Sequence, residues 1–555
     1  MLVRKIHSIL IIFCFGLNQT LNAQDVFPMD GATLNYTQIM FEMPFNNQAD
    51  KYQISISEFD LRGEKCKEII ETTNKSHAIM IRAGIEFGKT YKWNYAAFKD
   101  KKRLTLSKDF TFYVGSNQLL DTNLQKLTYT QINKSKKEGI LIIDGLKLIT
   151  DLKGKPILFL NYKSDHSVRD INLTPQGTLT LVDNRFGEIK ELQLNGEMVW
   201  IGAGKYENTE GRDDKYHHEF EKVNQNFYLA AGKKKVGSFE ETYGLEEVPS
   251  ETLCETIIGF DKEGTEVWRF NLLPELKRQY DIAPDVNMFN PTRLGHLNGM
   301  VVDTTNKMVY ASFKTFNTVM KIDMASNRIL YQYGLKKINF KDSLEEGLLF
   351  EQQHAPTFNK NGNLLIFNNG NEKTGSGITE LRVGENLDSA NEVVKNIYFK
   401  DYLSKDYYAV QMGSVQETGK NKYLVCMGSS PHFFEIDTKK KKLLWQAYTF
   451  QNYRYHENGK IWRPVFSYRI KQYSSLYQFH FTIDRKVTNG KEFLLISNNG
   501  TESDSYQIFF EGENSNLNFY LKDIKPGKIK MIKIPRQAQL TVRSIKSETD
   551  KILQP

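Results

Sequence analysis

The sequence predicts an all-β protein, a six-bladed β-propeller preceded by a small immunoglobulin-like β-sandwich, on three observations. Apolar strand cores recur six times, the stretch ahead of them alternates with a period of two, and no segment there sustains a helical period. The strand cores are Thr178 to Val182, Phe227 to Ala231, Met308 to Phe313, Leu364 to Phe367, Tyr423 to Met427 and Phe493 to Ser497, and their starts advance by 49, 81, 56, 59 and 70 residues. Several follow a turn, as at Pro175-Gln176-Gly177, Asn224-Gln225-Asn226 and Asn361-Gly362-Asn363. Several lead into a second strand, a tight turn and a large apolar closure, as from Leu194 to Trp200 and from Ile436 to Trp445. Four short strands per unit, closed into a ring, bury both faces of each sheet and protect its edges. A solenoid would repeat at a more even length, so insertions of this size favour the ring.

The chain divides accordingly. Arg4 and Lys5, the uncharged run Ile9 to Gly16 and the small residue at Leu21-Asn22-Ala23 read as a secretory signal peptide over residues 1–23. Residues 24–120 alternate, with Tyr52, Ile54 and Ile56 on one strand face and Trp93 and Tyr95 on another, which predicts the sandwich. Residues 121–138 are polar and lysine-rich, a linker, and residues 139–545 are the propeller. No later stretch approaches the roughly 20 apolar residues of a membrane span, so the expected mature protein is soluble and periplasmic or secreted.

Composition narrows the partners. The net charge of +8 is spread over 555 residues, and the lysine patches Lys233 to Lys235 and Lys439 to Lys442 lack interleaved aromatics, which argues for solvated turns and against nucleic acid. Cys66, Cys254 and Cys426 are too few for a disulfide scaffold, and the sequence nominates no pair. Oligomeric state is not written in these patterns; a homodimer is compatible with them.

The ten histidines carry the functional signal. His218 precedes its strand core by nine residues, His296 by twelve and His354 by ten. That places all three on the preceding strand, the innermost of a blade, facing the channel. Converging imidazoles can hold a metal, act as general acid or base, or accept a transferred group. Ser414, nine residues before Tyr423, takes the same place in another blade, while His166 and His480 lie twelve and thirteen residues before their own cores and rank lower.

Three blocks resemble the arylsulfotransferase family in order and spacing: Tyr216-His217-His218-Glu219-Phe220 to Asn226, His296-Leu297-Asn298-Gly299 to Asp323, and His354-Ala355 to Asn368-Asn369-Gly370. The resemblance spans roughly Asp165 to Trp445. It implies a cofactor-free enzyme that moves a sulfuryl group from an aryl sulfate donor to a phenolic acceptor. It also implies that His354 is the nucleophile, that His296 and His218 assist, and that Asn298 donates to sulfuryl oxygen. Lys314 stands where the family has an arginine, keeping the charge without the bidentate fork. Counting back from Asn224 selects His217 for the third position, whereas the pairing of histidine with an acidic neighbour selects His218; His218 is taken and His217 stays open. No GxxxxGK[ST] loop is present for a nucleotide donor. The competing readings are a non-catalytic propeller that binds a glycan or protein and a metal-dependent hydrolase using the same histidines.

Overall fold

The computed structural model describes residues 26–59, 63–74, 76–115, 125–131, 138–160, 168–184, 186–202, 215–235, 253–280, 295–334, 349–384, 392–453, 461–511 and 518–555. The leader at 1–23 and His166 lie outside them. Among the described residues no helix is long and apolar enough to cross a membrane. Cys66, Cys254 and Cys426 are unpaired, the last two buried.

Residues 26–115 form a sheet that includes Lys51–Phe59, Lys89–Lys99 and Phe110–Val114, with the short pair Ile39–Glu42 and Ala78–Ile81 beside it. Alternation does what it should here: Tyr52, Ile54, Ile56 and Trp93 are buried in one core while their neighbours face outward. That core continues into Ile140, Ile142, Leu179 and Leu181, which seats these strands against the following sheets.

From residue 140 onward antiparallel sheets, most of four strands, succeed one another. They open with Val168–Leu173, Lys215–Asn224, Leu297–Asp303, His354–Phe358 and Ser414–Gly419 as their first strands. Each first strand lies against the next, and Ser414–Gly419 lies against Ile470–Tyr473. Ile470–Tyr473 pairs with Ile140–Ile143, so a strand from late in the chain completes the sheet begun by the earliest one. Aliphatic and aromatic clusters fill the spaces between successive sheets, for example Val182, Trp200, Phe220 and Phe260. The strand cores from Thr178, Phe227, Met308, Leu364 and Tyr423 are the second strands of their sheets, which puts the histidines ahead of them on the inner strands.

Two expectations change. Phe493 to Ser497 lies in Lys491–Asn498, which pairs with Phe481–Thr488 and Ile529–Ile534 and shares a separate core with the sheet containing Asp504–Phe510. The ring strands therefore end at Tyr473 within the 139–545 stretch, because Phe493 to Ser497 finds its apolar partners among the last strands of the chain. In the linker, Gln125–Gln131 is a strand on the edge of Lys442–Tyr453.

Candidate active site

The inner strands share a device that shapes the site. Asp170, His218, His296, Ala355 and Met412 all have left-handed backbones, with φ of 49°, 62°, 53°, 48° and 60°. Asp170, His218 and Ala355 lie within register shifts of their strands, and His296 immediately precedes the strand whose shift falls between Leu297 and Gly299. A bulge re-aims side chains away from the regular pleat, and a ring of bulges turns several toward one place.

His354 opens its strand at 2% exposure. Its Nδ1 donates to Asn369 Oδ1 at 2.7 Å and approaches Gln352 O at 2.9 Å, while Met412 N–H donates to its Nε2 at 3.2 Å. A ring nitrogen that accepts from an amide has no proton, so these partners assign the Nδ1–H tautomer. Burial pushes its pKa down to about 3, against the Asn369 bond, with Arg469, Lys314 and His296 adding to the fall. His296 is lowered to about 4, mainly by burial, with Lys314 contributing, and burial with neighbouring cations drives His218 well below the ordinary value. All three are neutral near pH 7.

The structure brings four expected residues together. His218 and His296 lie ring to ring at 5.4 Å, and the charge of Lys314 acts on both His296 and His354. Lys314 donates its backbone N–H to His296 O at 3.1 Å, and burial lowers its own pKa. Among the described residues no carboxylate pairs with it. His217 turns the other way, with Nε2 2.9 Å from Glu255. His480 is elsewhere, 3.0 Å from Glu42 at the end of the strand Ile39–Glu42.

Asn298 bonds within the chain, and Ser414 lies on an inner strand away from the histidines. Asn298 is fully buried and its Nδ2 donates to Gln353 O at 2.6 Å, so its amide braces the residue before His354. Ser414 lines a cavity of about 300 Å3 with Glu219, Met300, Ala355, Arg469 and Lys471, a cavity that none of the three histidines lines.

Sequence reasoning missed Arg469. Buried beneath the cluster, it bonds Glu219 Oε2, Asn298 O and Gly413 O at 3.0, 3.1 and 3.2 Å, tying inner strands of different sheets, and it stacks 3.9 Å from the Tyr468 ring. Burial raises the Glu219 carboxyl, and Arg469 beside it holds that rise back. Arg169 lies 5.4 Å from the same Tyr468 ring and depresses the His218 pKa. In sequence Arg469 was only a basic residue beside an aromatic, and Arg169 had no such mark.

An all-β ring with neutral imidazoles and several cations at its centre, Lys314 and Arg469 among them, is suited to holding an anionic group. Residues 140–478 match the model of the arylsulfotransferase (ASST) family, and the chain belongs to that family. The match begins at the first ring strand and ends just beyond the last. Membership makes the protein a sulfotransferase with small-molecule substrates. No curated protein sequence matches it. Among solved structures, it is similar to a protein of unknown function from Bacteroides caccae at 12% identity, covering 56% of this chain and 93% of that one, with a TM-score of 0.36. A streptogramin B lyase shares 9% identity over 59% of this chain and 87% of its own, with a TM-score of 0.33.

Proposed function

We propose that the protein is an aryl-sulfate sulfotransferase that works through a sulfohistidine on His354, at the centre of a six-bladed ring behind an immunoglobulin-like sandwich. The observation that carries the reading is the fixed neutral tautomer of His354 beside Lys314, His296 and His218. In the first step His354 Nε2, released from the Met412 amide, attacks sulfur, the aryl S–O bond breaks and the leaving group departs as a phenolate. The positive charge arising on the ring is met at Nδ1–H by Asn369 Oδ1. Lys314 neutralises sulfuryl oxygen, a stabilisation worth more in a site from which water is excluded. A second phenol then attacks sulfur, the N–S bond breaks and His354 is restored. The basic start and apolar run of residues 1–23 support export, where an aryl sulfate is a self-activated donor.

The test is nitrophenolate release from nitrophenyl sulfate with a phenol present. The wild type is expected to turn over and to yield an acid-labile, base-stable sulfo adduct on His354, and His354→Asn to fall to background. A wild-type rate in the variant, or no trappable adduct, removes this mechanism. No release by the wild type with any acceptor favours a binding role.

A further inference from the structure

The inner strand Lys215–Asn224 is built differently from its neighbours. In the other bulged strands one residue is inserted against the partner: Arg169 and Asn172 face Val182 and Thr180, Leu297 and Gly299 face Phe313 and Ser312, and His354 and Thr357 face Phe367 and Leu365. In Lys215–Asn224, Tyr216 faces Gly232 and Phe220 faces Ala230, so two residues are inserted between these pairs. The extra residue places a second imidazole behind the first. His217 and His218 sit with centroids 4.7 Å apart and planes at 89°, joined Nδ1 to Nδ1. Behind His217 stands Glu255, 1% exposed, with Oε2 2.9 Å from His217 Nε2 and Oε1 3.5 Å from Lys233 Nζ. In front of His218 are His296 and Tyr468, each with its ring 5.4 Å away.

We propose that Glu255 and His217 form a relay that makes His218 the general base for the acceptor phenol. This rests on the sulfotransferase reading above. The partners fix the proton order. A Glu255 carboxylate 2.9 Å from His217 Nε2 draws the proton to that nitrogen, which leaves His217 Nδ1 bare to accept from His218 Nδ1–H, which leaves His218 Nε2 bare toward the site. Burial pushes the Glu255 carboxyl up, but His217 and Lys233 outweigh it and hold it below the ordinary value, so the carboxylate persists. When the acceptor attacks, its O–H bond breaks, the proton joins His218 Nε2, oxygen bonds sulfur and the sulfur–His354 bond breaks. The charge on His218 is shared with His217 through the Nδ1 bond and balanced by Glu255. Glu255 is thus a positioning residue, while the cations Arg169 and Lys233 and the neutral His296 face the pair without supplying a negative charge.

The two half-reactions separate this relay from a plain packing role. Nitrophenolate is a weak base that leaves with little proton assistance, whereas an ordinary phenol needs its proton removed. With nitrophenyl sulfate as donor, Glu255→Gln is expected to slow transfer to phenol about 100-fold, to slow the initial nitrophenolate burst about tenfold less than that, and to be worse with less acidic phenols. Glu255→Asp should recover part of the loss, and His217→Asn should repeat the pattern, which keeps the test open if Glu255→Gln does not fold. Equal losses in both steps, or an unchanged phenol step, overturn the relay. Absence of a burst in the wild type overturns the sulfotransferase reading itself.

Discussion

His354 stays neutral because the folded chain removes it from water and offers its Nδ1 proton an amide oxygen, not a carboxylate. The consequence for stability has a definite sign. Its folded pKa of about 3 lies below the ordinary value of 6.5, so the folded state binds fewer protons between them. The stabilisation is complete above about pH 6.5 and is lost as pH falls toward 3. At about pH 5 that loss is about 2 kcal/mol. Buried Asp144 and half-buried Glu221, both raised to about 7, titrate in the opposite sense, so the contribution shows as a difference between proteins. Urea unfolding of wild type and His354→Asn at neutral pH and at about pH 5 should show an acid loss about 2 kcal/mol smaller in the variant; equal losses would mean that the imidazole is solvated. The histidine itself was legible from its distance to a strand core. Glu255 was not, since it lies on a strand that meets His217 only once the third sheet has folded.

At the scale of elements, the bulged inner strands crowd one another, and Gly299 marks a tight passage between two of them. A Cβ there would lie 2.9 Å from the backbone N and Cα of Ala355 and 2.9 Å from Pro356 Cδ. Backbone cannot step aside as a flexible side chain can. Gly299→Ala is expected to cost about 1–3 kcal/mol in urea unfolding and to lower nitrophenolate release by pushing the His354 strand away from His296. A variant with unchanged stability and rate would show that the two strands slide freely. The His-Leu-Asn-Gly string announced a motif, yet its reasons are spatial: Asn298 braces Gln353 and Gly299 admits the next strand. Spacing along one strand carries no record of the strand beside it. The family resemblance implied a sulfuryl donor at Asn298 without any sign of its bond to Gln353.

For the whole molecule, closure decides whether the histidines meet at all. Alternation is a local signal and pairing is not, so Phe493 to Ser497 imitates another ring strand while Ile470–Tyr473 is the one that joins Ile140–Ile143. Asp144 stands just past that pairing, 1% exposed, and accepts backbone N–H bonds from Tyr468, Arg469 and Asp170 at 2.9, 2.7 and 3.3 Å. One carboxylate thus gathers the strand that closes the ring, the segment carrying the central arginine and the inner strand of the next sheet. Asp144→Ala would leave three buried N–H groups without an acceptor, each costing about 1–3 kcal/mol. The expected outcome is a fall of about 3 kcal/mol or more in urea unfolding, with transfer activity declining as Arg469 loses its support beneath His354. Asp144→Asn keeps one carbonyl oxygen as acceptor and should lose less. An Asp144→Ala protein as stable as the wild type would mean that strand pairing alone closes the ring.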